Sequence, residues 1–360
     1  MNSAHSLTTL FLLLVMTTSP AEAKTFDVET YVALNDVSET STSPDRRFVA
    51  YTVTANDIEK DEQVSRVWML ATDSGASIPM TSPESSASSP KWSPDNRYLA
   101  VLSDRKDEKN QVWLLNRDGG DAVQLTDVKQ GVSAFEWSPD GKRMLLLITD
   151  ARPADLDEKK RPNPRPWVID RLQFKQDYVG YLDRHRTHIY VLDVASRQMR
   201  QVTLGDYDDS APAWSPDGTK IVFVSNRTDE PDRNYNSDLW IVDVTADNPE
   251  PLQLTTSPAE DDSPAWSPDG RSVVYRTKDE DIFQIYALPQ LAVVDVATRE
   301  TRTFDSLAEI QVFQPRFSRD GSSILAIAET RGEMNLVRIS VRSGKVSKLV
   351  SGKNTVARFD

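Results

Sequence analysis

The sequence predicts an all-β fold, a β-propeller of four-stranded blades with six recognisable repeats and the first strand of a seventh. Three observations predict it. Ser-Pro-Asp recurs at Ser43-Pro44-Asp45, Ser93-Pro94-Asp95, Ser138-Pro139-Asp140, Ser215-Pro216-Asp217 and Ser267-Pro268-Asp269, and Ser318-Arg319-Asp320 is a degenerate sixth copy. An aromatic residue stands before most copies (Trp92, Trp137, Trp214, Trp266, Phe317), and a β-branched or aromatic run follows, as in Ile221-Val222-Phe223-Val224. The copies are 50, 45, 77, 52 and 51 residues apart, a period that marks repeat architectures built from one supersecondary unit per blade.

Each part of the unit has a physical reason. Proline presets φ at the first corner of a turn, Asp bonds back to the backbone, and Gly141, Gly218, Gly270 and Gly321 supply the corner that needs positive φ. Ser-Pro-Asp-Gly between two apolar runs is therefore a hairpin tip joining an aromatic-ended first strand to a second strand. A third strand with period-two patterning follows at 111–115, 238–244 and 335–341, and a short fourth at 122–126 and 251–255. Residues 355–359 align with 312–317 as the innermost strand of a seventh repeat. Either this strand closes the ring by completing the first blade or, the reading adopted here, the sequence is cut inside blade seven at Asp360.

If the aromatic strand is innermost, all Ser-Pro-Asp turns share one face. The links between blades, and those between second and third strands, share the other. On that second face fall Asp208-Asp209 and Asp261-Asp262, just before Trp214 and Trp266, and the one long insertion, 151–186, which accounts for the spacing of 77.

At the N-terminus, Leu7 to Met16 is an apolar run followed by Ala21-Glu22-Ala23, the pattern of a signal peptide cleaved after residue 23. A run of ten residues is too short for a helical span, which needs ~20. The expected domains are thus a signal peptide at 1–23 and a propeller at 24–360, exported to the periplasm or beyond. The formal net charge of −13 opposes binding to nucleic-acid phosphates. The absence of cysteine excludes disulfides, thiolate metal sites and a Cys nucleophile. Three histidines, His5, His185 and His188, leave little material for a His-based metal centre or triad, and no cofactor or metal is expected.

The candidate binding residues are few. The insertion carries nine Lys or Arg against six Asp or Glu, and is also rich in proline and aromatics. It is expected to dock another domain, or to meet a substrate carboxylate through Arg165, Arg171 or Lys175, with Trp167 as an apolar contact. The pairs Asp208-Asp209 and Asp261-Asp262 read either as strand caps on a solvated face or as an acidic rim for a peptide amino terminus or a calcium ion.

The run Gly205-Asp206-Tyr207-Asp208-Asp209-Ser210-Ala211-Pro212-Ala213-Trp214-Ser215-Pro216-Asp217-Gly218, with Phe223-Val224-Ser225-Asn226-Arg227, Asp238-Leu239-Trp240 and the insertion from Arg165-Pro166-Trp167-Val168 to His188-Ile189-Tyr190-Val191, carries a family likeness. The repeats resemble TolB-like propellers. More specifically, the chain resembles the N-terminal propeller of the prolyl oligopeptidase family of serine peptidases, in its acylaminoacyl-peptidase and dipeptidyl-peptidase branch. That resemblance implies an oligopeptide substrate and an α/β-hydrolase domain after the propeller, with its nucleophile on a G-x-S-x-G elbow. No G-x-S-x-G occurs in the 360 residues, so no catalytic residue is assigned here. The alternative is a stand-alone TolB-like binding or scaffold propeller without enzymatic activity.

Overall fold

The computed structural model describes residues 26–360 except 107–108, 152–165, 167, 178, 279–285, 351 and 353–354. The expected signal peptide lies outside the described residues. The chain divides into two units at Leu34. In the first, the helix α1 (Val28–Val32) is capped by Asp27, whose carboxylate accepts the Thr30 N–H at 2.8 Å.

The second unit, Asn35–Asp360, is a six-bladed propeller of four-stranded antiparallel sheets. Blade 1 comprises β1 (Asp36–Thr42), β2 (Phe48–Asp57), β3 (Glu62–Ala71) and β4 (Ser77–Pro79). Blade 2 comprises β5 (Ala87–Trp92), β6 (Tyr98–Ser103), β7 (Gln111–Asn116) and β8 (Val123–Gln124). Blade 3 has β9 (Ala134–Trp137) and β10 (Arg143–Thr149), then the insertion with its small hairpin β11 (Lys175–Gln176) and β12 (Gly180–Tyr181), then β13 (Thr187–Asp193) and β14 (Met199–Gln201). Blade 4 is β15 (Asp209–Trp214), β16 (Lys220–Ser225), β17 (Asp238–Asp243) and β18 (Leu252–Gln253). Blade 5 is β19 (Asp261–Trp266), β20 (Ser272–Thr277), β21 (Gln290–Asp295) and β22 (Thr301–Thr303). Blade 6 is β23 (Gln311–Phe317), β24 (Ser323–Thr330), β25 (Glu333–Ser340) and β26 (Val346–Val350).

The Ser-Pro-Asp turns form as their chemistry requires. Ser138 Oγ donates to Asp140 Oδ1 at 2.6 Å and accepts the Arg143 N–H at 2.9 Å, and the other copies repeat the bond from Ser to Asp. Gly218 and Gly270 sit at φ +69°, and a Cβ at Gly270 would stand 3.7 Å from the Pro216 ring of the preceding blade's turn. In blade 2 Asn96 takes that conformation at φ 62°, as a residue tolerant of the left-handed region can.

Alternation along the strands buries apolar side chains between blades rather than within them. Five core clusters fill the junctions from blades 1–2 to blades 5–6. The aromatics before the turns stitch neighbours together: Trp137 Nε1 donates to the Lys91 carbonyl at 3.2 Å, Trp214 to Glu136 at 3.4 Å and Trp266 to Ala213 at 3.1 Å. In five blades the inner strand also carries a register shift with a left-handed residue at it, namely Glu39, Ser89, Ala211, Ser263 and Gln314.

Residues 355–360 form no ladder of their own beyond one bridge from Thr355 to Met334. The Val356 N–H donates to the Met334 carbonyl, as the Asp261 N–H does to Ser237 where blade 5 begins. The last residues then run between β23 and β1: Gln314 Nε2 donates to the Ala357 carbonyl, Arg316 pairs with Asp360 at 3.2 Å, and the Thr42 N–H donates to Asp360 Oδ2.

Candidate functional site

Because each hairpin turns at Ser-Pro-Asp, the first residue of every inner strand lies at the opposite face, together with the insertion. Asp209 opens β15 and Asp261 opens β19. The expectation of a solvated acidic face does not hold for them. Asp209 is 1% exposed and Asp261 0%.

Around blades 3 and 4 the charges are matched one by one. Arg186 Nε donates to Asp206 at 2.8 Å and its Nη1 to Asp208 at 2.9 Å, while the Thr187 N–H donates to the other Asp208 oxygen. Burial works against the Arg186 charge, but the bonds to Asp206 and Asp208 outweigh it and leave its pKa raised. The Arg186 bond in turn holds the Asp206 carboxyl below its ordinary value. Arg227 donates to Asp209 Oδ1 at 3.0 Å and stacks over Trp240, with its guanidinium 4.8 Å from the ring centroid. His188, almost wholly buried, lies 3.7 Å from both Asp150 and Asp209. His185 lies 2.9 Å from a different carboxylate, Asp183.

The insertion is anchored to this network. Arg171 grips Asp232 with both ends of its fork and donates its Nη1 to the Asp183 carbonyl at 2.6 Å, and Arg184 bonds Asp170 and Asp206. The structure thus makes Arg171 an anchor of the insertion, its guanidinium engaged by blade 4, rather than a group held out for a substrate carboxylate. Lys175 lies exposed in β11. Arg165 and Trp167 lie outside the described residues. Above the anchored base the segment presents Val168, Ile169, Leu172, Phe174 and Val179 to solvent, at 43–80% exposure.

At the junction of blades 4 and 5 the matching fails. Asp262 has Arg276 in a two-point bond at 2.6 Å, and Glu260 has Lys278 at 2.8 Å. Both oxygens of Asp261 and Oδ1 of Asp238, however, have no hydrogen-bond partner. Asp238 Oδ2 accepts from Gln253 at 2.8 Å. Burial, followed by the Asp261 charge, pushes the Asp238 carboxyl up to about 7. Burial likewise pushes Asp261 up to about 6, against the pull of the Thr255, Thr277 and Ser257 hydroxyls. Asp238 was not among the candidates from sequence. Its signal is positional: Thr126, Thr203 and Thr255 each accept the N–H of the third strand's first apolar residue, which aligns Gln111, His188 and Asp238 as the residue before it.

Among the described residues no three His, Asp or Glu side chains converge as metal ligands. The inner strands enclose a central channel of about 1020 Å³, with Lys91, Glu136, Arg316 and Arg358 among its lining residues. Burial raises the Glu136 pKa against the opposing charges of Lys91 and Arg316.

The family model of the TolB β-propeller domain matches residues 174–358, more than half of the chain. Dipeptidyl-peptidase 5 of Porphyromonas gingivalis is 24% identical over 357 residues, covering 92% of this chain and 50% of that protein. The uncharacterized peptidase YuxL of Bacillus subtilis is 27% identical over 222 residues, 61% of this chain and 34% of its own length. The Pyrococcus horikoshii acylaminoacyl peptidase shares the fold at a TM-score of 0.70 and 18% identity, covering 92% of this chain and 48% of that one. The chain therefore spans half or less of the length of these relatives.

Proposed function

The chain belongs to the TolB β-propeller domain family, and from that premise we propose that it is the substrate-gating and docking propeller of an exported serine peptidase acting on oligopeptides. The carrying observation is the match of 92% of this chain to half of a dipeptidyl-peptidase. In this reading the chemistry belongs to an α/β-hydrolase domain outside these 360 residues, and residues 355–360 open a seventh blade.

The geometry supports the docking role. A four-stranded blade begins and ends at the face of the interblade links, so polypeptide leaving a completed ring emerges on the same face as the insertion. There, Arg171, Arg184 and Arg186 fix the base of the segment, and Leu172 and Phe174 stand out as exposed apolar contacts for a second domain. The channel, about 1020 Å³ in volume, offers room for a short extended peptide and far less than a folded domain occupies.

The test reads the coding sequence past residue 360 and assays both products. A continuation holding a serine elbow, with peptide hydrolysis by the long protein and none by the 360-residue chain, is the expected result. Leu172→Asp with Phe174→Asp in the long protein should then raise KM for long peptides more than for dipeptide substrates. Export is checked by the mature N-terminus, expected at Lys24, in the periplasmic or culture fraction. A native protein ending at Asp360 with no peptidase activity would overturn the reading and leave a binding propeller.

A further inference from the structure

We propose that Asp238 and Asp261, at the junction of blades 4 and 5, bind a divalent cation with hard-oxygen preference, of which calcium is the representative.

Comparison with the neighbouring junction shows what is missing. In blade 4 Asp209 faces Ser225 across the ladder, and two residues further on Arg227 returns to hold it. In blade 5 Asp261 faces Thr277 in the same register, but two residues further on the sequence has Asp279. The third-strand position that abuts this site is Gln111 in blade 2 and His188 in blade 3. In blade 4 it is a second carboxylate, Asp238. Blade 2 shows what a neutral residue does there: Gln111 accepts from the Thr126 hydroxyl and the Val128 N–H and donates to the Val128 carbonyl, so the position is fully satisfied.

Two carboxylates therefore share a space from which both the arginine and the neutral amide have been removed. Neither is left at the surface, with Asp261 0% exposed and Asp238 5%, and three of their four oxygens have no partner. Ionised carboxylates are not kept buried without compensation. The charged groups nearby are committed elsewhere: Arg276 to Asp262, and Lys278 to Glu260. Tyr275, whose pKa is raised by burial and by these same carboxylates, brings no positive charge. The hydroxyls of Thr255, Ser257 and Thr277 lie close enough to draw the Asp261 pKa down, and they too are neutral oxygens. Two carboxylates with hydroxyl oxygens beside them are a calcium-type donor set, and among the described residues no imidazole or thiolate joins them to favour zinc or copper.

The test uses the full chain, freed of metal with a chelator. Calorimetric titration with calcium chloride at pH 8 should show one saturable site, and the melting temperature in calcium should exceed that in chelator. Uptake at pH 6.5 should release protons, read as a difference in heat between two buffers of unlike ionisation enthalpy. Asp238→Asn and Asp261→Asn should each abolish uptake and melt at the same temperature with and without calcium. Arg276→Gln, which removes the partner of Asp262 and touches neither proposed ligand, should leave uptake in place. No uptake by the wild-type chain, with a melting temperature unmoved by calcium at pH 8, would overturn the proposal and leave a proton-sharing pair. Uptake that survives both Asn variants would overturn it equally, by placing the ion elsewhere. If the variants do not fold, the proton release by the wild-type chain still decides.

Discussion

Removing the cation from Asp209 should turn it into a copy of Asp261. The perturbation is Arg227→Met, which keeps an apolar stem against Trp240 and Phe223 while deleting the guanidinium that bonds Asp209 Oδ1 at 3.0 Å. Asp261 supplies the magnitude, as a carboxylate in the same ladder position, buried and without a cation, with its pKa pushed up to about 6 from 3.8. At 1.36 kcal/mol per pKa unit, about two units correspond to about 3 kcal/mol. An acid whose folded pKa lies above its unfolded value is destabilising once pH exceeds the folded pKa, and the effect fades as pH falls between the two. The variant should thus lose about 3 kcal/mol at pH 8 and about half of that at pH 5. Urea unfolding followed by tryptophan fluorescence measures both. The comparison is made in a His188→Gln background, because His188 lies 3.7 Å from Asp209. An Asp209→Asn second change should recover most of the loss at pH 8. Equal losses at the two pH values, or no recovery by Asn, would refute the reasoning, since packing alone would then explain the cost.

Other outcomes follow from the same structure. In chelator, the wild-type chain should lose stability as pH rises from 5 to 8, because Asp238 at about 7 and Asp261 at about 6 both bind more protons folded than unfolded in that window; chemical denaturation across pH reads it. Trp266→Phe removes the indole donor to the Ala213 carbonyl, for a loss of about 0.5–1.5 kcal/mol by urea unfolding. Gly270→Val should lower the melting temperature by the equivalent of about 1–2 kcal/mol, because φ +69° is left-handed backbone. Gly270→Asn should do so much less, since Asn96 already holds that place in blade 2.

Much of the fold was legible because the blades repeat their turn chemistry. Ser-Pro-Asp-Gly marked each hairpin, the preceding aromatic marked the inner strand, and the period then required four strands per unit. Blade 1 was the least legible, since β1 (Asp-Val-Ser-Glu-Thr-Ser-Thr) lacks an aromatic. The charged site was only half legible. Asp208, Asp209, Asp261 and Asp262 could be placed on the correct face, but a linear sequence does not say which acid meets which base. Asp209 and Asp261 looked alike until the ladder register set Arg227 against one and, among the described residues, no cation against the other. Asp238 passed as an ordinary strand residue because its significance depends on a neighbour 23 positions away in another blade.

The indole bonds give the ring a direction. Trp137, Trp214 and Trp266 each donate backward, to the inner strand of the blade before, so blades 3, 4 and 5 are each fastened to their predecessor in a thread that starts at blade 2. The thread has two loose ends: Trp92 Nε1 finds no acceptor on blade 1, and Phe317 of blade 6 has no donor to offer. Loosening blade 3 would strip the acceptor from Trp214 and weaken blade 4, while leaving blade 2 with all its own donors in place. Mechanical compliance should therefore concentrate at the two untied blades, and a wedge entering the ring would part it beside Thr42 and Asp360 long before it split the arc of tryptophans.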